Sequence, residues 1–580
     1  MSRYRFGALF AATAIVVAAC GGSTATTAPT QAPASNAPAT AAPASTEPST
    51  APSESAAAAA PKAGGTLVVA IPGDLNRSDP SLVDDANSSY IAQQVVETLV
   101  GLKPGTGGDI VPGLAESWTI SPDGLTYTFK LREGVKFHDG TPFDATAVKA
   151  NFDRWLNIPQ SYIDLGYTYY IDTVIGHGKG SFVESVEAPD ATTAVVKLRH
   201  PNSAFLIQMT LQPFGIQSPT AMEKGGASAP DFANNKYAQG GPPAMVGTGP
   251  FIFKEWVAKD HVTLDKNPSY WNAAAGGPYL DSVTFKPISD TTATLNALQA
   301  GDVDMAQTIA PVDVKAAKAD ANLQYYDRGS ACNIGHLAMN STKAPFDNPK
   351  IRQAVGYAIN RQPIVDAFFG DSGVVINNWT PPGTKFAVDQ ALPNYDVAKA
   401  KQLIADSGVT DLSFDFWYPS DVSRPYMPDP KGEFEAILRD LEAVGFKPNP
   451  KTAPWRPDYL AAESKGDYPM WLIGWNCDWL GIDNFLYTAL FGYRGDPLGP
   501  NPEFGYKNDA MNQAMVDALA SSDETTQAAD WLKAQNLIAA DYPTVPIVSG
   551  KTPAAGATYV KGLVPSPTLN EMFTNVWLDK

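Results

Sequence analysis

Few groups in this 580-residue chain have the types and spacing that chemistry needs. The run Gly370-Asp371-Ser372-Gly373 has the makeup of a serine-nucleophile loop. That chemistry requires a histidine within hydrogen-bond reach of the hydroxyl and an oriented acid behind it. Five histidines are available, His138, His177, His200, His261 and His336, but the sequence around Ser372 reads as helical. A secreted serine hydrolase using Ser372 is therefore a remote alternative. His138-Asp139 looks like an acid–base dyad, yet Asp139-Gly140 behind a strand is a turn signal. The histidines show no paired metal-ligand spacing and the cysteines form no C-x-x-C. There is no G-x-x-x-x-G-K-[ST] loop and no dinucleotide fingerprint. The residues point to no catalytic group, no protein-built metal site and no cofactor, so the expectation is a binding protein, not an enzyme.

The N-terminus carries a different kind of chemistry. Arg3 and Arg5 precede an apolar, acid-free run from Phe6 to Ala19 that is too short to span a bilayer and suits a secretory signal. It ends in Val17-Ala18-Ala19-Cys20, similar to a bacterial lipobox, with cleavage leaving a lipidated Cys20. Residues 21–61 are almost entirely Ala, Ser, Thr, Pro and Gly, which cannot bury enough apolar surface to order themselves. Such a segment suits a tether, so the protein is expected to sit outside the cytoplasm, held to the membrane by lipid at the cell surface or in the periplasm. The formal charge of −18 becomes −20 once the leader's Arg3 and Arg5 are removed. An excess of that sign repels phosphate backbones and argues against a nucleic-acid partner. Cys332 and Cys477 remain as an even pair in a disulfide-permissive compartment, either bridged or standing as two buried thiols.

From Lys62 onward the chain is too long for one core. It alternates short strands with amphipathic helices, without an internal repeat. Tyr127, Phe129 and Leu131 alternate with polar residues as a half-buried strand. Asp144 caps a helix with Val148, Phe152, Trp155 and Leu156 on one face. Asn348-Pro349 opens another helix carrying Ile351, Ala354 and Val355. Further helices run from Asp396 to Gly408 and through Phe434, Ile437 and Leu441 to Gly445. Met470 to Trp475 is continuously apolar and too short for a buried helix, so it reads as a central strand. Breaks at Lys103-Pro104-Gly105 and at Gly240 to Pro243 bracket a candidate inserted lobe.

Collinear blocks along this body resemble the extracellular solute-binding proteins of the peptide/nickel ABC-importer class, family 5. Gly64-Gly65-Thr66-Leu67 is similar to the family's opening strand, and Pro112-Gly113-Leu114-Ala115-Glu116-Ser117-Trp118 to its P-x-L-A-x-S-W element. The run from Asp123 to Gly140, through Tyr127-Thr128-Phe129 and Phe137-His138-Asp139, matches the family signature. Gly247-Thr248-Gly249-Pro250-Phe251, Asn267-Pro268-Ser269-Tyr270-Trp271, Ala300-Gly301-Asp302 and Met339-Asn340 follow in the family's order. Gly474-Trp475-Asn476-Cys477-Asp478 and Asp483-Asn484-Phe485 come last.

The resemblance implies an α/β, periplasmic-binding-protein-like fold with two large lobes, a two-strand hinge and a smaller inserted lobe. Lobe I would comprise 62–104, 244–328 and 541–580, the inserted lobe II 105–243, and lobe III 329–540. It implies capture of a small solute, a peptide first, between closing lobes and delivery by a monomer to ABC permease subunits. An oligosaccharide or other non-peptide solute in the same fold is the alternative, because Trp379, Trp417, Trp455, Trp471, Trp475 and Trp479 crowd one lobe. Trp479 follows a strand end, where α/β folds present ligand contacts. The ligand-binding residues expected are Asp478, Trp479, Cys477 and Asn340, with Asp478 at the position that binds a peptide's α-ammonium in the peptide-binding relatives.

Overall fold

The computed structural model describes residues 60–494 and 498–580. The expected leader, Cys20 and nearly all of the expected tether lie outside them. Two large sheets and one smaller sheet organise the body. In the first, the strand Thr66–Ile71 runs parallel to Ser282–Pro287 on one side and to Met305–Ala306 on the other. The order across its seven strands is Leu323–Tyr326, Ala554–Ala557, Met305–Ala306, Thr66–Ile71, Ser282–Pro287, His261–Lys266, Phe251–Val257. Alternation along the central strand feeds two cores: Leu67, Val69 and Ile71 enter one, while Val68 and Ala70 enter the other.

The second large sheet has six strands in the order Gly373–Val375, Thr544–Gly550, Asn333–Met339, Met470–Asn476, Ser413–Pro419, Lys447–Ala453. The Met470–Asn476 run is the central strand its composition predicts. It lies antiparallel to Asn333–Met339 and parallel to Ser413–Pro419. The edge strand Lys447–Ala453, which pairs with Ser413–Pro419, carries Pro448, Pro450 and two lysines, which blunt pairing with other chains. The helices form where their signals stand. Asn348 accepts from Lys350 N with Pro349 at the first turn, Asp396 caps Val397–Ser407, and Gly445 ends Pro430–Val444 in the left-handed conformation. A helix at Arg361–Phe368 intervenes between the Pro349–Ala358 helix and the Ser372 turn.

The smaller sheet is antiparallel, in the order Ala115–Ile120, Thr126–Leu131, Thr193–Leu198, Val183–Asp190. Its core includes Tyr127, Phe129, Phe152 and Trp155. The chain crosses from the first large sheet to the second at 327–332 and returns at 551–553. The two crossings are bonded to each other: Arg328 Nη1 donates to Thr552 O at 2.9 Å, and Lys551 pairs with Asp327 at 3.2 Å. This is the two-lobed, two-crossing architecture with an inserted lobe. One expected boundary is corrected. Residues 544–550 pair with Asn333–Met339, so the chain leaves lobe III after Gly550 and not at 541.

Candidate functional site

A cavity of about 1540 Å³ is lined from all three sheets' surroundings, including Tyr90, Tyr169, Tyr170, Arg424, Trp475 and Asp478. It opens where the strands Ser413–Pro419 and Met470–Asn476, parallel neighbours, run out at their C-terminal ends. Loops leaving such ends can turn side chains into a cleft.

The Met470–Asn476 strand is buried from Met470 to Gly474 and becomes half-exposed at Trp475. Just beyond it Cys477 N donates to Cys332 O at 2.8 Å, and a disulfide joins the two cysteines across a Cα separation of 5.4 Å. The bond answers the question left open by sequence. It ties the exit of one strand to the entry of its neighbour, at the end of the first crossing. Cys477 lines the cavity as half of this bridge.

Asp478 follows, aimed into the cavity. Its Oδ1 accepts from Tyr170 O–H at 2.9 Å, a contact from the inserted lobe, and its Oδ2 accepts from Asn484 Nδ2 at 3.3 Å. Asn484 Oδ1 in turn accepts from Asp478 N at 3.1 Å and Trp475 Nε1 at 3.0 Å. No cation among the described residues pairs with the carboxylate. Burial therefore outweighs the hydrogen bonds from Tyr170 and Asn484 and pushes its pKa up to about 6. A carboxylate oriented by two neutral donors and lacking a positive partner is prepared for a cation from outside. Asn484, fully buried, is a positioning residue that sequence reading did not single out.

A cation stands in the same cavity. Arg424, on the loop after Ser413–Pro419, has its guanidinium 4.7 Å from the Trp455 ring centroid, and its Nε has no hydrogen-bond partner among the described residues. Its neighbour Tyr426 packs over the facing pair Gly335 and Gly474, where a Cβ on either would collide with Tyr426. Sequence reading missed Arg424. The available signal was its place after the C-terminal end of a strand beside Met470–Asn476.

Two expected ligand residues are corrected. Trp479 is fully buried, belongs to the apolar core of the inserted lobe, and donates to Asp483 Oδ2 at 2.9 Å; it does not line the cavity. Asn340 is buried and occupied. Its Nδ2 donates to the carbonyls of Gly466, Pro502 and Glu503 at 3.3, 3.2 and 3.0 Å, and its Oδ1 accepts from Thr342 N and Oγ1. Among the tryptophans, Trp455 and Trp475 line the cavity, whereas Trp379 and Trp471 are core.

Ser372 is buried in a short turn and no histidine is hydrogen-bonded to its hydroxyl. His138 bonds Gly249 O, His177 pairs with Asp172, and His261 with Asp260. His336 lines the cavity but burial holds its pKa down at about 3, so it is neutral. Asp139 accepts from Thr141 N and Ser218 O–H beside the left-handed Gly140, the turn its sequence signals. No cluster of three or more metal-ligating residues occurs among the described residues.

Residues 109–496 match the family model for bacterial extracellular solute-binding proteins, family 5. The chain belongs to this family. It is 31% identical to heme-binding protein A of Haemophilus influenzae over 86% of this chain and 90% of the relative. It is 30% identical to the glutathione-binding protein GsiB of Salmonella paratyphi A over 88% and 93%. Among solved structures, the ABC transporter-associated periplasmic binding protein DppA from Helicobacter pylori, in complex with the peptide STSA, superposes with a TM-score of 0.76. It covers 90% of this chain and 99% of its own, at 28% identity. Members of the family are extracytoplasmic solute-binding proteins. No helix among the described residues is long and apolar enough to cross a membrane.

Proposed function

We propose that this protein is the substrate-binding component of an ABC importer and that its solute is a short peptide with a free N-terminus. The observation that carries the reading is Asp478: a cavity-facing carboxylate, oriented by Tyr170 and Asn484, with no cation of its own. Arg424, without a carboxylate partner in the same cavity, suits the peptide's opposite terminus. The cavity exceeds the ~300–1,000 Å³ of ordinary small-molecule pockets, which leaves room for several residues and retained water. The protein binds without turnover; the lobes close over the solute about the two crossings, and the closed monomer presents both lobes to the permease. The lobe limits we adopt are 62–104, 244–328 and 551–580 for lobe I, 105–243 for the inserted lobe and 329–550 for lobe III. Native mass spectrometry of the protein as purified tests the solute class. The expected result is a retained mass, released by denaturation and sequenced as a peptide; a retained neutral saccharide would overturn the peptide reading.

The same reading places the body on a lipid tether. Cys20→Ser should release the protein from membranes into the soluble fraction while peptide affinity stays as in the wild type, because the residues lining the cavity begin at Pro72. Detection of an unacylated mature N-terminus on the wild-type protein would end the lipoprotein proposal.

A further inference from the structure

The cavity holds more negative charge than one ammonium group requires. Seven carboxylates line it against four guanidiniums. Two of the seven, Glu463 and Glu503, take no part in the Asp478–Asn484 hydrogen-bond network. Glu463, on the short helix Leu460–Ser464, is 7% exposed. Its Oε1 accepts only from Trp471 Nε1, at 3.4 Å, and its Oε2 has no hydrogen-bond partner among the described residues. Glu503 has a side chain 19% exposed, with the Arg494 guanidinium 3.6 Å away. That guanidinium is already committed to the carbonyls of Thr488 and Ala489. Arg494 thus lies within ion-pair distance of Glu503 and not of Glu463. Burial raises both above the ordinary carboxylate range, and Glu503 drives Glu463 further up.

A bland account covers Arg494 and Glu503, which link the carbonyls of Thr488 and Ala489 to position 503, with Asn340 holding the Glu503 carbonyl from behind. It does not cover Glu463. A carboxylate nine-tenths buried, with one oxygen unpartnered at a cavity wall, loses solvation and gains almost nothing from the protein. The surrounding walls are aromatic. Phe504, Tyr426 and Trp475 line the same cavity, and Phe504 stacks on Trp471, whose indole reaches Glu463. Aromatic walls ending in carboxylates suit a long side chain with an apolar stem and a cationic head. Tyr169 of the inserted lobe feels both Asp478 and Glu503, which sets this corner beside the site for the peptide's N-terminus.

We propose that Glu463 and Glu503 form a second charge subsite, which accepts the basic side chain of a lysine or arginine near the N-terminus of the bound peptide. The proposal rests on the peptide reading and on Asp478 as its ammonium site. The test is calorimetric titration of trialanine and of tripeptides in which lysine, or the uncharged norleucine, replaces each alanine in turn. At one position lysine should bind at least about tenfold tighter than norleucine. In the Glu463→Gln/Glu503→Gln protein that ratio should fall towards one. Because the readout is a ratio within one protein, general weakening does not imitate it; should the double variant not fold, Glu463→Gln alone is read the same way. Absence of a lysine preference at every position, or a preference that survives the glutamine variants, overturns the subsite. Asp478→Asn separates the two ideas. It should weaken all the peptides together and leave the lysine ratio standing, whereas no effect of Asp478→Asn on any peptide would strike the underlying peptide reading instead.

Discussion

Asp478→Asn weakens the binding of a peptide with a free N-terminus by about 2–5 kcal/mol, the range for truncating one partner of a desolvated charge pair. The substitution keeps the shape and an acceptor for Tyr170, removes the charge, and turns the atom facing Asn484 Nδ2 from an acceptor into a donor. N-acetylating the peptide should cost the wild type a similar amount and the variant much less, because the two changes remove the same interaction from opposite sides. Equal losses in both proteins would take Asp478 out of the site. A pH titration supplies an independent check. Burial holds the free carboxyl near 6, and a bound ammonium favours its ionised form, so the pKa falls on binding. Affinity should therefore be flat between pH 6 and the peptide's own amine pKa. Below pH 6 it should fall by up to tenfold per unit, because protonation of free Asp478 then competes with the ligand. Asp483 also lies near 6 but bonds Trp479 away from the cavity. For a peptide without a basic side chain, whose binding does not draw on Glu463 or Glu503, the acid limb should accordingly vanish in Asp478→Asn.

The elements that set the fold were readable because each had a local cause. The Met470–Asn476 strand is short, apolar and unbroken. The helices at 349–358, 397–407 and 430–444 each carry a capping side chain at the start, and the latter two a glycine at the end. The misplaced boundary at 541 has an equally local cause. Pro546 lies inside Thr544–Gly550 and speaks against a central strand, yet it is accommodated where the register against Asn333–Met339 shifts. The site was harder to read, because sequence gives a residue's place on the chain and not the direction of its side chain. Asp478 and Trp479 are adjacent, and on leaving the strand they point to opposite sides: one into the cavity, the other into the core of the inserted lobe. Asn340 also follows a strand end, but its strand is antiparallel to Met470–Asn476, so it lies at the opposite end of the sheet beside Pro469, and three carbonyls consume its amide. Arg424 matters through Trp455, distant in sequence, and Asn484 through Trp475 and Asp478, nine and six residues back, a pairing that follows no helix or strand period.

Trp479 becomes informative because it is not a ligand. It leaves lobe III beside Asp478, yet its indole is fully buried among the residues of the inserted lobe. Leu480 next to it packs so closely on Gly107 that a Cβ there would lie 2.9 Å from its Cδ2. The loop that carries the candidate ammonium site thus also carries the apolar contact between the two sides of the cleft. Parting the lobes would withdraw this side chain into water, so its burial favours the closed arrangement over the open one. Trp479→Ala should weaken peptide binding by up to about 3–5 kcal/mol, the range for deleting a buried large aromatic. Since the indole does not line the cavity, free and N-acetylated peptides should lose affinity by the same factor, unlike their behaviour toward Asp478→Asn. Small-angle scattering gives the mechanical counterpart. A peptide concentration that compacts the wild type should leave Trp479→Ala largely extended, with compaction returning only at much higher peptide. If the variant instead bound the peptide as the wild type does and its unfolding midpoint dropped, Trp479 would be a fixed part of the fold. Closure would then have to draw its apolar contribution from elsewhere on the cleft.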